Sequence, residues 1–349
     1  MTALTTRVCR LHAKGDIRVE TDPVGGPGDG EVLVRIGAGG ICGSDLHYFQ
    51  DGGFGPIRVK EPIILGHEVA GTIEALGSGV AGLAVGQKVA LNPSRPCHGC
   101  RYCDEGLFNQ CLNMRFYGSA MRFPHEQGGF RDRIVADAAQ CVPVGDHVSH
   151  GEAACAEPLA VCLHARNQAG DLGGKRVLVT GAGPIGLLSV AVARQAGAVE
   201  IVVTDLQDAT LRVAEAMGAT CTVNVLKEPE VLEAYNAEKG TFDVAFECSA
   251  AAPALKSAIL AVRPRGTIVQ VGVTGDMAVP INLLVSKEIM LCGTHRFHAE
   301  YAEAVRLIDR GEIDVKPIIT HTLPLAEAPE AFAIAGDRSQ AVKVQLSFA

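Results

Sequence analysis

The chain has 349 residues, enough for about two domains that each bury a core, and 48% of them are hydrophobic against 20% charged. That composition excludes a disulfide-stapled miniature and extended disorder. Its 31 basic and 39 acidic residues give a net charge of −8, and with no long Lys/Arg run the chain lacks the phosphate attraction on which nucleic-acid and anionic-membrane binding depend.

Met1 to Lys14 alternate polar and apolar residues without an apolar signal region, and no uninterrupted apolar run approaches ~20 residues, so the expectation is a cytoplasmic protein with no spanning segment. From Glu31 to Lys88, alternating segments such as 31–36 and 67–73 predict strands broken by glycine-rich turns. Among these strands lie Cys42-Gly-Ser-Asp-Leu-His47 and Gly66-His-Glu68, with Cys42 and His67 25 residues apart. Thiolate, imidazole and carboxylate groups suit a catalytic zinc with three protein ligands and one open position, where an alcohol oxygen can be polarised. Cys42, His67 and Glu68 are the candidate ligands. Glu157, in Ala156-Glu-Pro-Leu159, joins them directly or through a water, and Ser44 and His47 can relay the alcohol proton to solvent. The ordinary alternative for each is core packing, since a histidine in an apolar strand is commonly a satisfied interior residue.

Cys97, Cys100, Cys103 and Cys111 form C-x2-C-x2-C-x7-C. Four thiolates complete a closed tetrahedral shell, which predicts a structural zinc; an iron–sulfur cluster is the rival, although ferredoxin runs differ in the last spacing. The other thiols, Cys155 and Cys162 included, read as helix or core packing.

Near Gly174 the pattern changes to continuous apolar strands, at 176–180, 201–205, 221–225, 243–247 and 267–271, alternating with amphipathic helices. This is the pattern of a parallel sheet covered on both faces, the α/β doubly wound class. Gly181-Ala-Gly-Pro-Ile-Gly186 fits G-x-G-x-x-G after a strand and before a helix that starts near Pro184, and Asp205 ends the next strand 19 residues beyond Gly186. Gly181 and Gly183 permit close approach of a pyrophosphate to free amides, Gly186 lets helix and strand pack, and Asp205 would accept from the adenine ribose and repel a 2′-phosphate. NAD is therefore expected over NADP, with NADP still possible; Asp205 could alternatively serve only as a helix cap. After residue 293 a helical stretch at 299–310 and a strand at 341–346 follow, and the tail is expected to return to the N-terminal, β-rich part.

Taken in order, the Cys42–His47 segment, Gly66-His-Glu68, the four-cysteine lobe, Glu157-Pro-Leu159, Gly181–Gly186 and Asp205 resemble the zinc-dependent medium-chain dehydrogenase/reductase family over essentially the whole chain. Within it the chain looks like the polyol dehydrogenases, and segments 92–97 and 114–125 are most similar to members that oxidise sugar acids. The resemblance implies a GroES-like β-rich catalytic domain from residues 1–157 and 294–349, including the lobe at about 93–113, and a Rossmann NAD-binding domain at 158–293. It also implies secondary-alcohol oxidation and a homo-oligomer, commonly a tetramer. Residue by residue it implies zinc on Cys42, His67 and Glu68 with Glu157 at the metal water. Tyr48 and Arg296 match substrate contacts; Ile185, Asp205, Val271, Gly272, Val273, Thr294, His295 and Arg296 match cofactor contacts.

Two departures stand out. Thr210 occupies a position where many polyol dehydrogenases have arginine, with Arg212 two residues later, and Phe297 replaces the tyrosine of sorbitol dehydrogenases. Segment 113–133 carries Arg115, Arg122, Arg131 and Arg133 against Glu126 and Asp132. With Arg296, this excess offers a substrate carboxylate the cation it needs, so a sugar acid is expected, with a polyol as the alternative. Solvated arginines or intersubunit ion pairs are the plain reading of the same excess. A non-catalytic NAD redox sensor is the rival from another class; the second, open ligand set argues for the enzyme.

Overall fold

The computed structural model describes residues 4–273 and 275–348. Two antiparallel strands, Thr5–Ala13 and Asp16–Pro23, form a small sheet with Ile63–Ile64. The larger sheet of the β-rich part runs in the order Cys141–Pro143, Lys88–Leu91, Glu68–Leu76, Glu31–Gly40, Lys343–Ser347, Ile319–Pro324. Strand Arg133–Asp137 also pairs with Glu31–Gly40. The closing strand Lys343–Ser347 runs antiparallel to Glu31–Gly40, with Gln345 opposite Gly40 and Ser347 opposite Ala38. Chain ends about 300 residues apart thus share one sheet, over a core of Leu11, Ile36, Ile63, Leu65, Ile73, Phe130, Phe332 and Leu346.

One element departs from the expected strand-and-turn pattern. Residues Gly43–Asp51 are helical: Cys42 caps the start, Asp45 sits at the third helical position, and Gly52 closes the helix at φ 70°. The helix is short and its apolar periodicity weak, so the glycines around it suggested a loop; local capping decides the matter.

The second sheet is entirely parallel in its six strands, in the order Cys221–Asn224, Glu200–Asp205, Arg176–Thr180, Phe242–Glu247, Val262–Gln270, Met290–Gly293. This is the doubly wound order, with the switch point between Arg176–Thr180 and Phe242–Glu247. Side chains alternate faces as pleating requires: Val177 and Val179 enter one core with Leu163, Leu187 and Val190, while Leu178 enters the other with Leu255, Ile259 and Ile268. The sixth strand, Met290–Gly293, extends the five read from sequence. Its alternation is too short to stand out alone.

Helix Ala156–Ala169 is apolar on nearly all sides, with Leu159, Leu163 and Ala165 buried, and it joins the two sheets. Helix Glu300–Asp309 packs along it. Among the described residues no helix is long and apolar enough to cross a membrane.

Candidate active site

Two chain segments bring Cys42, His67 and Glu68 together. Cys42 is the cap of helix Gly43–Asp51, and His67 and Glu68 open strand Glu68–Leu76. One ligand atom from each of the three lies within 4.8 Å of the others. His67 and Glu68 are buried and Cys42 partly so. Room for the Glu68 carboxylate comes from Gly40, opposite it on the neighbouring strand: a Cβ there would stand 2.1 Å from Glu68 Oε2. Fully buried Asp45 fixes the corner, accepting from the Cys42 amide at 3.0 Å and the Gly66 amide at 3.3 Å and lying 3.8 Å from His67 Nδ1. Burial alone would lower the His67 imidazole, yet Asp45, Cys42 and Glu157 outweigh it and lift it to about 10. Negative charge that holds a proton so firmly is equally suited to a divalent cation, which competes for the same lone pair.

Behind the site, Lys343 of the closing strand donates to both Glu68 oxygens at 2.7 Å and to the Ile41 carbonyl at 3.2 Å. Burial opposes its charge, but Glu68 and Cys42 keep its pKa above the usual lysine value. Sequence reasoning missed Lys343. The available signal was a lone cation flanked by Val342 and Val344 in the 341–346 segment.

Glu157 lies in the first turn of helix Ala156–Ala169, buried. Burial pushes its carboxyl up to about 7, helped by Glu68 and opposed by His67, Lys343 and Arg296. The charges of His67 and Arg296 therefore reach it, and Tyr48, whose hydroxyl oxygen accepts from the Ala120 amide at 3.1 Å, borders the same space. Arg296 is held in the left-handed region at φ 53°, with its guanidinium 4.2 Å over the Phe116 ring and 3.1 Å from Met121 Sδ.

The other expected groups are placed differently. Ser44 is partly buried on the helix capped by Cys42; His47 is exposed and pairs with Asp51 at 3.2 Å. Arg115 is exposed and pairs with Glu126 at 3.1 Å. Arg122 reaches back to the Met114 carbonyl at 2.8 Å, the Leu112 carbonyl at 2.9 Å and Asn113 Oδ1 at 3.1 Å. Much of its hydrogen-bonding capacity is thereby committed to the four-cysteine lobe, although Arg115, Arg122 and Arg296 line one small crevice together with Phe116, Met121 and Glu126.

In that lobe the Cys100 and Cys103 sulfurs are 3.6 Å apart and those of Cys100 and Cys111 4.0 Å. Zn–S bonds of about 2.3 Å in a tetrahedron put sulfurs about 3.8 Å apart, so the four thiols fit one zinc, whereas a multi-iron cluster would spread them further. Amides of Leu112 and Asn113 point at Cys100 and Cys111. The Cys103 and Leu112 amides bring Cys100 down to about 6. His98, exposed at φ 53°, is a loop residue.

At the nucleotide end, a Cβ on Gly186 would meet the Gly181 carbonyl at 1.8 Å, so only glycine lets helix Pro184–Gln195 sit against its strand. Gly183 caps that helix and Pro184 and Ile185 form its first turn, leaving free amides for a pyrophosphate. Asp205 ends strand Glu200–Asp205 and accepts from the Ala182 amide at 2.6 Å and from Leu206 and Gln207 amides at 2.7 and 2.9 Å. It orders the glycine loop as well as presenting an acid there. Fully buried Glu247, also missed, orders the loop after its own strand, two strands from that of Asp205: it accepts from Thr180 and Ser249 hydroxyls, from Ser249 and Ala250 amides and from Gln270. Val271 and Gly272 leave that point, both amides donating to the Glu247 carbonyl, and Val273 is exposed beside them. Thr294, whose buried hydroxyl has no partner among the described residues, leads through His295 to Arg296. These loops converge on the strand ends where doubly wound sheets bind their ligands.

Residues 28–146 match the alcohol dehydrogenase GroES-like domain and residues 184–310 the zinc-binding dehydrogenase family. The L-idonate 5-dehydrogenase (NAD(P)(+)) of Escherichia coli strain K12 is 43% identical over 344 residues, covering 98% of this chain and 99% of its own. Sorbitol dehydrogenase of Gallus gallus is 36% identical over 340 residues, covering 96% and 94%. The crystal structure of L-idonate 5-dehydrogenase from Escherichia coli K-12 superposes with a TM-score of 0.93 at 42% identity, covering 99% of both chains. With two ligand sets of the right chemistry, a glycine loop at a doubly wound switch point and matches along its full length, the chain belongs to the zinc-binding dehydrogenases that carry an alcohol dehydrogenase GroES-like domain.

Proposed function

We propose that the protein oxidises the C5 secondary alcohol of L-idonate to 5-keto-D-gluconate, passing hydride to NAD, and catalyses the reverse reduction. The observation that carries this reading is the buried Cys42, His67 and Glu68 cluster beside Glu157 and Arg296, in a chain 43% identical to an L-idonate 5-dehydrogenase. Zinc held by Cys42, His67 and Glu68 supplies a Lewis acid for the alcohol oxygen, and NAD accepts the hydride. Glu157 orients the substrate hydroxyl. Ser44 and His47, three residues apart on one helix, carry the proton toward solvent. Tyr48 and Arg296 hold the sugar chain, Arg296 meeting the carboxylate with Arg115 and Arg122 at the mouth of the same crevice. NAD binds along Gly181, Gly183, Pro184, Ile185 and Gly186, its ribose on Asp205 and its nicotinamide against Val271, Gly272, Val273, Thr294, His295 and Arg296.

The commitments of Arg122 to backbone carbonyls and of Arg115 to Glu126 favour a second reading, a sorbitol- or xylitol-type polyol dehydrogenase. NADH formation with L-idonate, D-gluconate, sorbitol, xylitol and L-threonine, each before and after chelation, separates the two. Chelator-sensitive turnover of L-idonate above all others is expected; faster turnover of sorbitol or xylitol would move the protein to the polyol enzymes.

Residues 1–157 and 294–349 form the catalytic domain and 158–293 the nucleotide domain, a division supported by pairing of the tail with Glu31–Gly40. The assembly is a homotetramer. Its support is the open sheet edge at Met290–Gly293, where Met290 and Leu291 are exposed, as are Ile281 and Val285 in the helix that precedes this strand. Light scattering should give about four times the chain mass, and a monomer would remove that assignment. A cytoplasmic location suits a protein whose thiolates must stay reduced to hold metal.

A further inference from the structure

The four-cysteine lobe makes contacts that a purely structural zinc site does not need. Its 3-10 turn Phe108–Gln110 sits immediately before Cys111. From that turn Asn109 Nδ2 donates to the His295 carbonyl at 2.9 Å, and the Phe108 ring packs on His298 with centroids 4.1 Å apart. Eight residues beyond Met114, Arg122 ties the lobe down again by binding the Leu112 and Met114 carbonyls just past Cys111. Strand Arg115–Phe116 leaves the lobe and places the Phe116 ring between His67, at 5.5 Å between centroids, and the Arg296 guanidinium at 4.2 Å. The turn 294–298 is thus gripped on both sides of Arg296, a non-glycine residue in the left-handed region that needs its surroundings to hold it there.

We infer that the four-cysteine lobe positions Arg296 for the substrate's carboxylate, with Asn109 and Phe108 as its positioning residues, and so helps set selectivity for a sugar acid over a neutral polyol. The inference rests on the reading above in which Arg296 meets the substrate. Neither Asn109 nor Phe108 is a zinc ligand or touches the reacting atoms, so their effect must pass through the turn. A hydrogen bond from Asn109 fixes the carbonyl directly before Arg296, and the Phe108–His298 contact fixes the side chain two residues after it. Loosening either lets the guanidinium sample orientations that a neutral polyol would not notice but a planar, bidentate acid contact would.

The test compares the calorimetric Kd values of L-idonate and xylitol, and the ratio of their kcat/KM values, in Asn109→Leu, Phe108→Leu and Arg296→Ala. Zinc content and melting temperature are measured on the same samples. Asn109→Leu removes the donor at nearly constant shape without adding charge and should cut the acid-to-polyol ratio about fivefold to tenfold, the scale of one neutral hydrogen bond. Phe108→Leu should act in the same direction, while about two zinc ions per chain are retained. If Arg296→Ala leaves the ratio unchanged, the substrate reading itself falls. If Arg296→Ala lowers the ratio while Asn109→Leu and Phe108→Leu leave it unchanged, or lower acid and polyol binding equally, the lobe has no part in selectivity and the inference is overturned.

Discussion

Lys343 shows what one buried side chain can decide. Its ammonium pairs with both oxygens of Glu68 in a space from which water is excluded. Removing one partner of such a pair leaves an uncompensated interior charge, which costs about 3–5 kcal/mol. Lys343→Met should therefore lower unfolding stability by that amount in urea titrations, and adding Glu68→Gln should recover part of it. An additive double variant would mean that the two charges do not depend on each other. At the other end of the molecule, Gly186→Ala places a methyl 1.8 Å from the Gly181 carbonyl. The glycine loop must shift, and the Kd for NADH should rise at least about tenfold by fluorescence titration. Asp205→Ala removes both the ribose acceptor and the anchor on the Ala182 amide. It should weaken NAD more than NADP, because the charge that repels a 2′-phosphate leaves with it; an unchanged preference would assign Asp205 to loop ordering alone. Gly186 and Asp205 were legible in the sequence because their spacing is local. Lys343 was not, because nothing near residue 343 names Glu68 as its partner, 275 residues away.

Among the elements, the helix Glu300–Asp309 is tied to helix Ala156–Ala169 through one carboxylate. Glu300 pairs with His164 at 2.9 Å and accepts from Asn167 and from the His298 amide, each at 2.9 Å. Burial acts to raise its pKa, but these hydrogen bonds bring it from the ordinary 4.5 down to about 2. A depressed folded-state value means stability that is fully present above the ordinary value and is lost as pH falls from 4.5 toward about 2. Glu300→Gln should flatten that acid limb: melting temperatures measured down the same range should fall less steeply than in the unsubstituted protein. An equal slope would place the acid sensitivity elsewhere. The sequence predicted this helix within one residue at each end because its apolar periodicity is strong, and it predicted the start of the glycine-loop helix from the glycine turn and Pro184. It did not predict helix Gly43–Asp51, where capping by Cys42 and Gly52 acts without an apolar stripe.

At the scale of the whole molecule, two sheets of different kinds are joined by helix Ala156–Ala169, and the chain's last strand returns to its first large sheet. The groups of the candidate site gather where the two halves meet: Cys42, His67 and Glu68 from the antiparallel side, Glu157 from the joining helix, and Arg296 from the turn that follows the last parallel strand. The sequence by itself determined the donor chemistry of both candidate metal-ligand sets, the candidate dinucleotide loop and the parallel α/β class. Ligand type, short spacing and strand–turn–helix order are properties of neighbouring residues, and they survive without knowledge of the fold. Tertiary structure alone decided that Lys343 backs Glu68, that Arg122 turns toward the lobe's own carbonyls, and that the lobe grips the turn bearing Arg296. Each of those outcomes depends on which distant strands and loops pack together, since a buried charge or an open carbonyl takes whichever partner the fold brings within reach.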